Sequence, residues 1–390
     1  MKKKLFKGMV RHRLARSLGV GSSKNINDSK DVAEKWKRVI KYLISGKTLT
    51  KAEVDTVPEL SPRKYTVYVN PFSGQGKALQ MYNGPVRAML AEAEINHKMI
   101  KTEYGGHARK MVKDLNLAEC EGIIIVSGDG LVHEVINGLM ERTDWEKAIK
   151  TPIGIVPGGS GNALAASVIY ASTGLHPVPA NVTSSVFQIC RGRVEDIDIM
   201  AIETKSETNP DETVVKYGLL GLVIGIIADI DIESEYLRKL GQVFRTTLYA
   251  VMRILCLRTY NITVSYLPVT SKTLSVHESV GENISNGVDV LAAGDQPSVL
   301  RNHLLPSLNQ ENLPDNWITE TDDFLLLMGA NLTHLSQEVM INPDLDLNDG
   351  TIRLSKTKSG YSRLDLIRMW GRLEDGIGVV NDSHNVVNSC

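Results

Sequence analysis

The pattern of apolar and polar positions divides the chain into stretches of different period. From residue 61 to 183, short β-branched runs alternate with segments of helical spacing. Tyr65 to Val69, His97 to Thr102, Ile123 to Val126 and Ile153 to Val156 read as strands, while Ala78 to Glu94, His107 to Leu115 and Ala163 to Val168 read as helices. After the run Ile123 to Val126, the residues Leu131, Val135, Ile136 and Leu139 recur at helical spacing, with His133, Glu134 and Asn137 between them. Strands that alternate with helices predict a parallel sheet in an α/β domain.

From about Ser184 the period changes. Val186 to Cys190, Val194 to Ile202, Val214 to Ile224, Ile262 to Leu267, Phe324 to Met328 and Thr351 to Leu354 read as short strands between turn signals, which predicts an antiparallel second domain over 184–390. One helix interrupts it, Glu233 to Leu257, whose Leu237, Leu240, Phe244, Leu248, Val251, Met252 and Leu255 form an apolar stripe expected to be mostly ordinary core. Residues 268–318, rich in Ser, Asn, Gly, Asp and Pro, read as a long insertion.

Residues 1–60 read as an extension ahead of the α/β domain. Phe6, Val10, Leu14 and Leu18 repeat every four residues among Lys2, Lys3, Lys4, Lys7, Arg11, Arg13 and Arg16, and the first acid is Asp28. Such a basic amphipathic helix suits an anionic membrane surface; a transit-like presequence or a solvated tail is the plainer alternative. A second charged helix, Val32 to Ile44, leads through Pro58 and Pro62 to the first strand.

Composition narrows the class. A chain of 390 residues with 42% hydrophobic and 23% charged residues is globular, and its length suits two domains. A formal charge of -1 gives no reason to expect nucleic acid as a partner. Cys120, Cys190, Cys256 and Cys390 are scattered without a C-x-x-C pair or a Cys/His cluster, so neither a disulfide framework nor a metal site is signalled, and a reducing, cytoplasmic compartment fits. Asn181-Val182-Thr183 matches an N-glycosylation triplet, which without a secretory signal is a chance match. No apolar run is long enough to span a bilayer.

Candidate chemistry sits at the strand-to-helix junctions. Asn70-Pro71-Phe72-Ser73-Gly74-Gln75-Gly76-Lys77, Ser127-Gly128-Asp129-Gly130 and Pro157-Gly158-Gly159-Ser160-Gly161-Asn162 each follow a strand and open a helix. Three such loops on one parallel sheet converge at its carboxyl edge and offer backbone N–H groups to phosphate. The first is no Walker A loop, since Pro71 and Ala78 stand where Gly and Ser or Thr belong, and His133 breaks the dinucleotide fingerprint of the second. Asp129 sits where ligands bind in open α/β sheets; its plainer use is as a turn or cap residue.

The stretches SGDGLVHEVINGLMERTDW, NPFSGQGKAL and PGGSGNALAAS closely resemble the lipid kinases of the diacylglycerol kinase superfamily, and sphingosine kinases most of all. The resemblance runs from about Tyr65 to Arg372. Ser127 favours the sphingosine kinases, which read SGDG where diacylglycerol and ceramide kinases generally read GGDG. The block Ala228-Asp229-Ile230-Asp231-Ile232-Glu233-Ser234-Glu235, with Arg238 after it, resembles the segment that meets the lipid head group.

That resemblance implies a three-layer α/β nucleotide-binding domain over 61–183 and an antiparallel β-sandwich lipid-substrate domain over 184–390. It implies ATP and Mg2+ as cofactors and a sphingoid base as substrate at a membrane surface, phosphorylated on its primary hydroxyl. The enzyme would be cytoplasmic and peripherally membrane-associated, and a homodimer is compatible with it. Asp129 corresponds to the catalytic base, and Ser127, Gly128 and Gly130 share its turn. Asn70 and Pro71 fall where nucleotide meets the first loop, Thr102, Glu103, Tyr104, Gly105 and Gly106 where the adenosine end is held, and Gly159, Ser160 and Gly161 at the triphosphate. Glu134 matches a further nucleotide-site residue, Arg238 a phosphate-clamping arginine, and Asp231 the carboxylate for the substrate's ammonium group. Asp231 has a plainer alternative as N-cap of the Glu233 helix.

Three departures stand beside the match. Phe72 replaces an arginine often found after Asn-Pro. Phe244 stands where a second phosphate arginine falls, with Arg245 one place later, about 100° around a helix. The family's VDGE-like motif in its last β segment has no counterpart before Cys390, which predicts a truncated sandwich with exposed edges. These departures favour a catalytically weak or inactive lipid-binding paralogue, or a truncated isoform, as the alternative; a diacylglycerol or ceramide kinase is a further one.

Overall fold

A computed structural model describes residues 26–44, 48–73, 76–159, 161–206, 208–209, 212–240, 242–269, 313–374 and 383–387. The basic stretch around Phe6 to Leu18, Ser160, the side chain of Arg238 and most of the 268–318 segment lie outside the described residues. The chain forms two compact units, one of residues 1–63 with 191–193 and one of 64–190 with 194–390. In the first, the helix Ile26–Ile44 carries Lys35, which pairs with Asp55.

Among the described residues the second unit holds three sheets. Strands β1 (Lys64–Val69), β2 (Asn96–Lys101), β3 (Gly122–Ser127) and β4 (Ile153–Pro157) form a parallel sheet in the order β2-β1-β3-β4. Its residues alternate between two cores. Tyr68, Ile123 and Ile125 pack with Leu131, Val135 and Leu139 of the helix Asp129–Met140, while Val67, Val69, Ile124 and Val126 pack with Ala78, Tyr82, Val86 and Leu90 on the opposite face. Burial on both faces explains the unbroken β-branched run of β3. Because β1 lies between β2 and β3, the strand order reverses beside it, and the carboxyl ends of β1 and β3 bound the crevice where such sheets take ligands.

β5 (Met200–Lys205) and β6 (Thr213–Gly218) form an antiparallel pair. The third sheet joins β7 (Gly221–Gly225), β8 (Tyr260–Tyr266), β9 (Ile318–Ala330), β10 (Thr351–Lys358) and β11 (Ser383–Val387), all antiparallel. β7 is bounded by glycines at φ +151 and +97; a Cβ on Gly225 would sit 2.2 Å from the Leu325 carbonyl oxygen, so the strand reaches β9 only with glycine there. The expected class, a parallel α/β sheet followed by an antiparallel domain, is the observed one.

Four expected elements are different, the first being the strand expected over Val194 to Ile202, which begins only at Met200. Val186 to Cys190 is helix, within Val182–Arg191, because Val182, Val186 and Ile189 recur at helical spacing onto the α/β core and Asn181 caps the Ser184 N–H at 3.0 Å. The Asn181 triplet is thus a helix cap. Val214 to Ile224 is broken at Leu219-Leu220 into β6 and β7, which belong to different sheets. The single helix Glu233 to Leu257 is three pieces, Ile226–Ser234, a 3-10 segment Glu235–Leu240, and Gln242–Leu255. Of its apolar stripe, Leu237 packs on the core, whereas Phe244, Leu248, Val251, Met252 and Leu255 are exposed and Arg245, Tyr249, Ala250 and Ile254 are buried instead.

Candidate active site

The three glycine-containing junctions meet at the carboxyl edge of the parallel sheet. After β1 the chain turns at Asn70, whose side-chain oxygen accepts the Phe72 N–H at 3.0 Å, and Ser73 donates its buried hydroxyl to the Gly158 carbonyl at 2.7 Å. The Gly158 N–H in turn donates to the Ser127 carbonyl at 2.9 Å. Gly128 and Gly159 touch backbone to backbone: a Cβ on Gly159 would lie 2.4 Å from the Gly128 Cα. No side chain fits at that contact, which explains both glycines without appeal to turn type.

The loop after β4 closes on itself. Asn162 adopts the left-handed conformation (φ 56) and exchanges two hydrogen bonds with Gly159, each 2.8 Å. It thereby starts the helix Ala163–Thr173 beside Asp129, which stands at the amino end of its own helix, Asp129–Met140. The Asp129 carboxylate accepts the Ala163 N–H at 3.0 Å and the Leu164 N–H at 3.3 Å, both unpaired donors of a helix's first turn. Burial raises its pKa above the usual carboxylate value, and these N–H bonds pull it partly back.

On the β2 side, Thr102 is buried with its N–H on the Val69 carbonyl at 2.9 Å, and Glu103 donates its N–H to His107 at 3.1 Å. Tyr104 is exposed and stacks on His107 with ring centroids 4.7 Å apart. Gly106, at φ +85, precedes the helix His107–Lys113, and Glu134 accepts the Ala108 N–H at 3.2 Å. Glu134 therefore caps that helix and holds the Thr102 to Gly106 turn in place.

Asp231 lies inside the helix Ile226–Ser234 rather than at its start, so it is not an N-cap. Its side chain is exposed, and Arg245 approaches it at 3.5 Å. Arg245 thus faces carboxylates. His133 and Lys77 are exposed, and Phe72, within the first loop, is 77% exposed. Among the described residues no cluster of three His, Cys, Asp or Glu groups is arranged to hold a metal.

Sequence reasoning missed several contributors. Ser73 and Asn162 fasten the loops together, and Asn137 holds the β6 backbone by two bonds to Tyr217, at 2.8 and 3.0 Å. The Leu335 carbonyl oxygen stands 3.6 Å from where a Cβ on Gly161 would be, bringing a segment after β9 to the site. Only Asn162 carried a local signal, as the residue type that tolerates the left-handed conformation.

The family model of the diacylglycerol kinase catalytic domain matches residues 64–202, which span the parallel sheet and all three loops. Sphingosine kinase 1 of Homo sapiens is 35% identical over 318 residues, covering 81% of this chain and 77% of that protein. The chain belongs to the sphingosine kinase family. Sphingosine kinase 1 of Arabidopsis thaliana is 33% identical over 82% of this chain and 61% of its own length. The crystal structure of a diacylglycerol kinase from Bacillus anthracis str. Sterne shares the fold, with TM-score 0.51 at 18% identity over 84% of this chain and 85% of that one. The site at the carboxyl ends of β1 and β3 is therefore part of a lipid kinase catalytic domain, and kinase membership implies ATP as phosphoryl donor.

Proposed function

We propose that the protein transfers the γ-phosphoryl group of ATP to the primary hydroxyl of sphingosine or sphinganine, with Asp129 as general base. The observation that carries this reading is the half-buried Asp129 carboxylate on the glycine loops, held by the Ala163 and Leu164 N–H groups. Phosphoryl transfer asks for alignment and charge neutralisation, because the moving charge already resides on phosphate oxygens. Backbone N–H groups around Gly159 and Gly161, with Ser160 and Arg238, supply part of it. Asp129 within reach of the alcohol takes its proton as the oxygen–phosphorus bond forms, and a pKa raised by burial makes it a better acceptor.

Asn70, Pro71 and Ser127 line the nucleotide side in this reading. Glu134 keeps the Thr102, Glu103, Tyr104, Gly105 and Gly106 turn in position, where exposed Tyr104 offers an aromatic surface to a purine. Gly128 lets the third loop close against this turn, and Gly130 leaves open space beside Asp129. The loops carry a single acid, Asp129, so Mg2+ would be held by phosphate oxygens and water with at most one protein carboxylate, as is common for this ion. When bound it neutralises charge on the β- and γ-phosphates. Asp231 takes the substrate's ammonium group, which diacylglycerol lacks.

Membrane contact at the lipid's source is supported by the exposed apolar face of the Gln242–Leu255 helix, since five large apolar side chains on one amphipathic helix suit a lipid surface. Among the described residues no helix is long and apolar enough to cross a membrane. Supplying ATP and Mg2+ with sphingosine, sphinganine, diacylglycerol or ceramide in mixed micelles tests the reading. It expects phosphate on the two sphingoid bases; preference for an uncharged lipid overturns the role of Asp231, and no turnover on any of them overturns the activity.

A further inference from the structure

The turn from Thr102 to Gly106 is fastened on both sides. Thr102 hangs on β1, its N–H on the Val69 carbonyl at 2.9 Å, while the Glu103 N–H donates to the His107 ring at 3.1 Å and the Tyr104 carbonyl accepts the His107 N–H at 3.2 Å. His107 opens the helix His107–Lys113, so the turn goes where that helix goes. Seven residues are too few to hold a helix alone, and its place comes from what it packs on. The chain from Asp129 to Arg142 grips it at three points. Glu134 accepts the Ala108 N–H at 3.2 Å. One turn on, Gly138 lies so close to Arg109 that a Cβ there would sit 2.6 Å from the Arg109 carbonyl oxygen and 3.0 Å from its Cα. Past the end of the Asp129–Met140 helix, Arg142 reaches back with Nη1 to the carbonyls of Val112, Lys113 and Leu115 at 3.0, 2.7 and 2.9 Å, where a helix end leaves acceptors unmatched. Its Nε and Nη2 grip Asp144 at 2.7 and 3.0 Å, and this two-pronged pair fixes the plane of the guanidinium.

We propose that Gly138 and Arg142 are positioning residues for the nucleotide base. Through them, the helix that begins at Asp129 sets how far the Thr102 to Gly106 turn stands from the Asp129 carboxylate. The proposal rests on the reading of that turn as the place of the adenosine end. Asp129 itself is held from another side, by the Ala163 and Leu164 N–H groups. A shift of the His107–Lys113 helix therefore moves the base end and leaves the phosphoryl end in register. Any side chain at 138 wedges the two helices apart, because it meets backbone, which cannot fold aside. Lysine at 142 keeps the charge at the helix end but has no planar fork with which to hold Asp144 and the carbonyls together.

Titration calorimetry of the full chain with Mg2+ present tests this, with ADP and inorganic tripolyphosphate as probes and Gly138→Ala, Arg142→Met, Arg142→Lys and Tyr104→Ala as variants. Gly138→Ala and Arg142→Met are each expected to weaken ADP about tenfold while tripolyphosphate binds as it does to the wild type, because a displaced positioning group costs only the part of the ligand it touches. Turnover of sphingosine at saturating ATP keeps the wild-type kcat, so the loss appears in KM for ATP. Arg142→Lys shows a smaller loss in the same direction and carries the comparison if Gly138→Ala does not fold. An equal loss on both probes marks general damage and overturns the proposal, as does unchanged ADP affinity in Gly138→Ala and Arg142→Met. Tyr104→Ala separates the two layers. Wild-type ADP affinity in that variant removes the reading of the turn, whereas weakened ADP there, with none in Gly138→Ala and Arg142→Met, removes only the role of those two residues.

Discussion

Asp129 and Ala163 stand 34 residues apart in sequence and meet at 3.0 Å, the N–H of Ala163 donating to the carboxylate oxygen Oδ2. The contact joins the turn after β3 to the helix that follows the third glycine loop. It makes the Asp129 carboxylate a cap for a neighbouring helix, and in the proposed mechanism the same carboxylate is the general base.

Burial raises the Asp129 pKa more than its backbone N–H bonds, those of Ala163 and Leu164 foremost, lower it. A carboxyl group with a raised folded-state pKa favours the folded state below its unfolded value of about 3.9 and loses that contribution as pH rises through the folded value. At neutral pH it is a net cost. Asp129→Asn is therefore expected to melt no lower than the wild type at pH 7, with the difference shrinking as pH is lowered towards 4. Thermal denaturation across that range checks it, and a variant that melts lower at pH 7 shows the N–H bonds outweighing burial.

Gly159→Ala places a Cβ 2.4 Å from the Gly128 Cα, where only backbone can yield. Overpacking of this kind costs roughly 1–3 kcal/mol. The two loops are also pushed apart, so KM for ATP is expected to rise about tenfold or more, since small misplacements of positioning groups are expensive. Gly158→Ala is the control: its Cβ meets Ser127 at 3.5 Å, an ordinary contact, and both readouts stay near wild type.

Asn137 occupies a buried position on the Asp129–Met140 helix and pairs with both backbone groups of Tyr217. Asn137→Ala leaves a buried N–H and a buried carbonyl without partners, at roughly 1–3 kcal/mol each. Urea denaturation is expected to show a lowered midpoint with an unchanged slope. A midpoint equal to the wild type means that β6 finds other partners.

His334 is buried against His176, Thr333 and Tyr170, and desolvation, followed by the charge of His176, brings its pKa down to about 4. A histidine with a depressed folded-state pKa contributes stability above its unfolded value of about 6.5, and that stability is lost as pH falls through the folded value. Between pH 6.5 and 4 the loss is about 3 kcal/mol. His334→Asn is expected to flatten the decline in that window, and an equally steep decline in the variant assigns it to other groups.

The parallel sheet was legible in the sequence because its strands are buried on both faces and read as plain β-branched runs. The three glycine loops were legible as well, since glycine marks close backbone approach. What the sequence withheld is non-local. No local pattern points from Asp129 to Ala163, or from Arg245 to Asp231 and Glu235, and the Asn137 pair with Tyr217 spans 80 residues. The Ile226–Ser234 helix begins seven residues before the expected start at Glu233, because its isoleucines follow directly on an apolar strand, and Val186 to Cys190 was too short a window to separate strand from helix.

The central claim is that Asp129 accepts the proton of a sphingoid-base hydroxyl as phosphate is transferred. The direct measurement compares the wild type with Asp129→Asn for transfer from radiolabelled ATP to sphingosine, with nucleotide binding measured on both proteins. The account predicts retained nucleotide binding and a fall in kcat of about 10²–10⁴ in the variant. Equal turnover in the two proteins contradicts it.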